Sequence, residues 1–339
     1  MAKKTVEQIA TDLNLSITTV RLVLNGKAEY YRISVKTQKK IQDYVDKYGY
    51  VINHTARSLK LNKTDTLGLV VPNLSNPFFS SLAESLELSC RQKGYQLMIC
   101  CTYNDPNYEI KLTNSLQARN VDGIFIVPAN KDTEAKHLSS LDKPFVFLDR
   151  NHHQATSSGV VSDNKGGGYL LTQSMVTKIK QPIVFFAGLD TLAPVKERIE
   201  GYIQAIKESG DDKQIIVCHA KNDSVSDGEL MISEYIEKYN DIPQNFIASS
   251  LPILEGVISL LHQRLGYIPE HINIGAFDEH LMLNFLSNNI WSIKQNDKLI
   301  AEKALYMMEQ KIANNDYQSE NIVVPVELVY RLKQPIKLN

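Results

Sequence analysis

Between Thr5 and Leu13 the apolar residues fall at Val6, Ile9, Ala10 and Leu13, the spacing of one helical face, and Thr5 stands where a cap belongs. Asn14-Leu15 breaks that pattern. Ser16 can cap a second helix over 17–24 that stops at Asn25-Gly26, with Leu15, Val20, Val23 and Leu24 inward. A third helix starts at Ser34 and runs to about Lys47, turning Ile41, Tyr44 and Val45 towards a small core. From Thr66 the rhythm changes. Short apolar runs that do not alternate recur at 67–71, 96–101, 123–127 and 145–148, then at 183–186, 215–218, 246–248 and 272–277. Amphipathic helices separate most of them, which is the mark of parallel sheets covered on both faces. The rhythm runs through two similar halves and breaks near 160–164. Late segments at 291–295 and 322–329 suit returns of the chain between halves. The expected class is α/β, an all-α head on a body of two doubly wound parallel-sheet lobes.

Two short helices joined by a tight turn form the helix-turn-helix unit, whose second helix can lie in a major groove. On that reading Ile17, Thr18 and Leu22 face base edges, while Ser16, Thr19 and Arg21 are placed for phosphates. Asn25 closes the same surface. Charge strengthens this picture. Residues 1–60 hold eleven Lys/Arg against five acids, a net +6, in a chain whose total is −1, so the rest carries −7. A basic block on a mildly acidic body points to a polyanion partner for the block alone.

Composition removes other classes. Apolar residues make up 43% and charged residues 22%, as in a soluble globular protein. A length of 339 residues fits two or three domains. No apolar run approaches the roughly 18–20 residues of a membrane helix, and no signal peptide is visible, so a cytoplasmic protein is expected. Cys90, Cys100, Cys101 and Cys218 have no metal-site spacing and read as buried free thiols of a reducing compartment. There is no Gly-x-Ser-x-Gly elbow, no Walker loop and no His-Glu-x-x-His, and no enzyme, metal or cofactor is expected. Gly166-Gly167-Gly168 lacks the Lys-Ser/Thr of a phosphate loop and reads as close packing at a helix start. The adjacent His152 and His153 point apart in an extended segment.

The strings Thr5-Val6-Glu7-Gln8-Ile9-Ala10, Leu15-Ser16-Ile17-Thr18-Thr19-Val20 and Val23-Leu24-Asn25-Gly26 together resemble the head of the LacI/GalR family. Asn53-His54-Thr55-Ala56-Arg57-Ser58-Leu59 resembles that family's hinge helix. The resemblance implies a segment that orders on operator DNA, with Leu59 wedged into a central minor-groove step and Ala56 and Arg57 beside it. Two departures matter. Arg21-Leu22 stands where the family has Ser-Arg, so a guanine-reading arginine is missing there and readout must be apolar or indirect. The segment from Asn25 to Ser34 is also longer than the usual loop, and resembles a subgroup containing sucrose-operon repressors and fructose (catabolite) repressor/activators.

Over the rest of the chain the resemblance is to that family's periplasmic-binding-protein-like body. It divides the protein into a head, 1–62, with the hinge helix at about 53–60, and a body, 63–339. The N-lobe would be about 64–161 plus 295–321, and the C-lobe about 162–293 plus 322–339. Ligands bind beyond the carboxyl ends of strands in such sheets. Asn73, Asn76, Phe78, Phe79, Asp149, Arg150, Asp163, Asn164, Arg198, Ser250, Asp278 and Gln295 all follow strands or mark crossings. A sugar needs this mixture: carboxylates and amides for vicinal hydroxyls, a guanidinium fork, and an aromatic face. Arg198, Asp163 and Asp278 match the family's sugar positions best. Asp278-Glu279-His280 could form an acid/base cluster but resembles a ligand-binding strand end. Arg150, Lys196 or Lys294 could supply cations for a phosphate. The resemblance implies a homodimer on a pseudo-palindromic double-stranded operator, released by a small sugar or sugar phosphate such as fructose or fructose 1-phosphate. A different sugar or nucleoside effector, a transport receptor and a sugar-converting enzyme are the alternatives; the basic head and absent export signal weigh against the receptor.

Overall fold

A computed structural model describes residues 4–50, 63–152, 157–210, 215–314 and 317–332. The chain divides into two compact units, Met1–Thr64 and Asp65–Asn339. The proposed hinge residues Ala56, Arg57 and Leu59 lie outside the described residues.

The first unit holds α1 (Val6–Leu13), α2 (Ile17–Leu24) and α3 (Val35–Tyr48). Thr5 and Gln8 form a reciprocal capping box on α1. Asn14 ends that helix at φ 52°, a left-handed stop that its short polar side chain tolerates. Ser16 caps α2 and Ser34 caps α3, each accepting from the backbone N–H three residues on. Val6, Ile9, Ala10, Val20 and Ile41 form the buried core, with Leu13, Leu15, Val23, Leu24, Tyr44 and Val45 packed around them. The inward stripes expected from spacing are those observed. Lys4 and Tyr44 both reach Asp12, and Lys40 donates to the Leu13 carbonyl at 3.0 Å, tying α3 to the end of α1.

The second unit contains two sheets of six strands each. The N-lobe runs β1 (Thr66–Val71), α4 (Pro77–Gln92), β2 (Gln96–Cys101), α5 (Pro106–Ala118), β3 (Gly123–Ile126), α6 (Lys131–Ser140), β4 (Phe145–Leu148) and β5 (Gly159–Ser162). The C-lobe follows with α7 (Asn164–Val176), β6 (Val184–Ala187), α8 (Ala193–Glu208), β7 (Ile216–His219), α9 (Val225–Tyr239), β8 (Asn245–Ala248), α10 (Leu251–Leu265), β9 (Asn273–Phe277) and β10 (Asn289–Lys294). The chain returns through α11 (Asp297–Ala313) and β11 (Asn321–Val324) to the N-lobe and ends in β12 (Glu327–Arg331) of the C-lobe. Strand order is β11-β5-β4-β3-β1-β2 and β12-β10-β9-β8-β6-β7. Among the described residues, every strand pairing in the two sheets is parallel except β10 with β12. Three crossings therefore join the lobes, after β5, after β10 and after β11.

Two expectations change here. The break at 160–164 contains a strand: Gly159–Ser162 pairs with β4 and β11. Residues 322–324, expected in the C-lobe, belong to the N-lobe sheet through β11. The reason is one-sided burial. Ile322 and Val324 face the N-lobe core, whereas Val323 is 57% exposed, so β11 is an edge strand. Leu328 and Tyr330 face the C-lobe core in the same way on β12. Ile300, Ala301, Ala304, Leu305, Met307 and Met308 of α11 fill the N-lobe core against α4 and the sheet. Cys90 is buried and its thiol is pushed up to about 12, while Cys100, Cys101 and Cys218, expected to be buried, are only half-buried.

Candidate effector cleft and nucleic-acid interface

The strands of both lobes end at a shared cleft, with about 370 Å³ of empty space between Asn76, Phe78, Phe79, Asp149 and Arg150 on one side and Arg198, Asp223, Ser250 and Asp278 on the other. Part of that space is open solvent, and the room it leaves for water-sized molecules is about 30 Å³. Asn76 and Ser250 stand at the N-caps of α4 and α10, and Pro194 lies in the first turn of α8, so three helix N-termini converge here with their positive dipole ends. Asp149 and Asp278 occupy the same place in the two lobes, directly after β4 and β9, at φ 60° and 69°. Aspartate tolerates this left-handed backbone better than most residues, and in both lobes it turns the chain at the strand's end.

Arg198 is held by contacts within the protein. Its Nε donates to Asn164 Oδ1 at 2.9 Å, Nη1 donates to the Ser249 carbonyl at 2.7 Å, and the guanidinium lies 4.2 Å from the Phe277 ring centre. Nη2 has no protein partner among the described residues. Arg150 is held in a similar way: Nη1 donates to Asn104 Oδ1 at 2.8 Å and to the Pro128 carbonyl at 3.1 Å. Glu109, buried behind it, accepts from the Ala129 N–H and pairs with His137 at 2.7 Å, so both sides of the 128–129 peptide are anchored. Gln295 donates to Asp278 and accepts from Ser162, linking a crossing strand to the cleft wall. Ser250 donates to Asp223 at 2.7 Å. Burial raises the carboxyls of Asp149, Asp223 and Asp278, more than the neighbouring guanidinium groups lower them. Burial likewise lowers Arg150.

Of the eight effector candidates, Asn76, Phe78, Arg150, Arg198, Ser250, Asp278 and Gln295 line this cleft. Asp163 does not. Its carboxylate caps α7 by accepting from Gly166 N–H at 2.8 Å, and a Cβ at Gly166 would strike it. The neighbouring Asn164 is the residue that reaches the site, through Arg198. Lys196 is exposed and does not line the cleft, whereas Lys294 lines an adjoining crevice with Phe78, His280 and Asp278. Asp223 was missed. It follows β7, so the strand-end rule that picked out the others points to it as well. Among the described residues no three His, Cys, Asp or Glu side chains are grouped to hold a metal ion, and no helix is long and apolar enough to cross a membrane.

On the head, Ser16, Ile17, Thr18, Arg21 and Asn25 are exposed and Thr19 and Leu22 half-exposed. Ser16 Oγ is engaged with Thr19, 2.8 Å from its hydroxyl and accepting from its N–H. Arg21 lies 3.9 Å from Glu7, a loose surface pair that leaves the guanidinium available.

A doubly wound, two-lobed binding protein with a polar cleft at its strand ends carries a small basic helical head. The sequence matches the model of periplasmic binding proteins and sugar binding domain of LacI family over residues 64–332, and the chain belongs to that family. It is 28% identical over 330 residues to the fructose operon regulatory protein of Vibrio cholerae, covering 96% of this chain and 99% of that one. The Cra transcriptional dual regulator of Pseudomonas putida, in complex with fructose 1-phosphate, superposes with a TM-score of 0.73 at 23% identity, over 79% of this chain and 99% of that chain. The lac repressor dimer bound to operator and the anti-inducer ONPF gives a TM-score of 0.82 at 17% identity, over 97% of this chain and 98% of that one. The last two are likenesses of fold. The relatives named are regulators, and the family is the one that the head and hinge strings resemble.

Proposed function

We propose that this protein is a sugar-responsive transcription regulator. The head binds double-stranded operator DNA as a homodimer, the cleft binds a fructose-type sugar or its 1-phosphate, and the bound effector releases the operator of sugar-utilisation genes in the cytoplasm. The observation that carries this reading is the grouping of two guanidinium groups, Arg150 and Arg198, with the buried carboxyls of Asp149 and Asp278 and the half-buried one of Asp223 in one cleft. Forked donors and carboxylates together suit vicinal hydroxyls, and Phe78 offers a face for the C–H side. Three helix N-termini and two guanidinium groups suit a phosphate, whereas three carboxyls suit a neutral ring, so both fructose forms belong in the test.

The test is anisotropy of a labelled palindromic duplex, selected by the full-length protein from a random library, at fixed salt. Fructose, fructose 1-phosphate and sucrose are titrated separately into the complex. Release by one of them identifies the effector. Tight binding without release by any keeps the regulator and removes the fructose assignment. For the hinge reading, Leu59→Ala is expected to weaken the selected duplex much more than a scrambled one; equal losses would remove the wedge.

A further inference from the structure

The segment between α2 and α3 presents a surface that neither the recognition helix nor the cleft uses. Tyr30 is 83% exposed and Tyr31 54% exposed, their rings packed edge to face with centres 5.0 Å apart. Among the described residues, the head's other large exposed apolar residues are Ile17, at the start of α2, and Val35, at the start of α3. The turn is built rather than slack. Lys27 N–H donates to Leu22 carbonyl at 2.9 Å, Arg32 N–H to Glu29 at 3.0 Å, and Ile33 N–H to Ala28 at 2.9 Å. Ala28 is buried beneath it, and Gln38 donates to the Ile33 carbonyl at 2.8 Å from α3. Arg32 closes the turn with left-handed backbone, φ 53°. Lys27, Arg32 and Lys36 are exposed and, among the described residues, none is ion-paired.

A rigid, exposed aromatic pair flanked by free cations fits one partner class on this basic unit, a polyanion with sugar faces. We propose that Tyr30 and Tyr31 form a second DNA contact, donating their hydroxyls to phosphates and packing over deoxyribose beyond the bases that α2 reads. This rests on the regulator reading above. The reach agrees. The eight residues of α2 span about 12 Å, the width of a major groove. With the N-terminal side chains at base edges, its far end brings the turn to the phosphate wall. Tyrosine and arginine are both used on phosphates, and such contacts fix register without reading sequence.

The experiment measures binding of the full-length protein to the selected duplex and to a scrambled one across a salt series, with a hydroxyl-radical footprint. Tyr30→Ala with Tyr31→Ala should weaken both duplexes by about tenfold, leave the salt slope unchanged, and lose protection at backbone positions outside the bases read by α2. Tyr30→Phe with Tyr31→Phe should also weaken both, because the hydroxyls go. Arg32→Ala should reduce the slope by about 0.9. Unchanged thermal unfolding and effector binding show that each variant is folded. Wild-type affinity and footprint in the alanine pair would overturn the proposal, as would a loss traced by sedimentation to a weakened dimer. If the unaltered protein selects no duplex, the regulator reading falls and this contact with it.

Discussion

Arg198 owes its position to three protein contacts: an amide, a carbonyl and an aromatic face. Arg198→Lys keeps the charge but not the fork, and should weaken effector binding about 10- to 100-fold while leaving operator affinity unchanged. The expected phenotype is a protein that still binds the duplex but no longer responds to effector, read by calorimetry with the effector and anisotropy with the duplex. An intact response would take Arg198 out of the site. Asp223 tests the electrostatics. Burial raises its pKa, so the native state holds its proton more tightly than the unfolded chain does. Its stabilising share is full below the ordinary value of 3.8 and is lost as pH rises through the raised native value. Asp223→Asn keeps an acceptor for Ser250 and should gain in stability relative to wild type as pH rises from about 4 to 7, measured by urea unfolding. A difference that is flat with pH would refute the raised value. Most cleft residues were legible because a strand end is visible as the close of an apolar run. Asp163 misled because its helix-capping role and a ligand role place an aspartate at the same spot after a strand. Asp223 was not found although 215–218 was read as a strand, because it stands four residues past the end of β7 and not directly after it.

At the scale of elements, glycines set how closely the C-lobe helices cross. A Cβ at Gly168 would stand 2.4 Å from the Arg198 carbonyl oxygen, and one at Gly201 2.2 Å from that of Lys165, so α7 and α8 touch backbone to backbone. Gly228 and Gly256 do the same for α9 and α10, with Gly256 2.0 Å from the Val225 carbonyl oxygen. Neither neighbour is a side chain that can rotate away. Gly256→Ala should cost about 3 kcal/mol and lower the melting temperature by roughly 5–10 °C. Gly168→Ala should add a fall in effector affinity, because the backbone that it strikes carries Arg198. Calorimetric melting with and without effector separates the two effects. The reading of 166–168 as close packing holds at Gly168, and the strand–helix alternation was plain because both lobe sheets are covered on each face. β5 was hidden because four residues, two of them Gly and Ser, carry too little apolar signal. β10, β11 and β12 were seen only as returning chain. Their pairing is settled by partners far away in sequence, and the one-sided burial of β11 and β12 shows only once those partners are in place.

At the scale of the whole molecule, the three crossings lie where the lobes meet, and Gln295, next to the second of them, ties Ser162 to Asp278. A ligand held by residues of both lobes stabilises one arrangement of the crossings over others, and only that difference in affinity can shift an equilibrium. If the head's DNA-bound state and the ligand-bound state of the body exclude one another, the coupling is a single free energy shared by both sites. An effector that weakens operator binding by a factor of about 5–150 must then be bound more weakly by that same factor when the operator is present. The measurement is effector titration by calorimetry on the free protein and on the protein saturated with the selected duplex, set beside duplex titration with and without effector. Because the two factors must agree at equilibrium, either titration measures the coupling and the other checks it. Effector and duplex affinities that each ignore the other ligand would show that cleft and head are uncoupled, and would overturn release by effector.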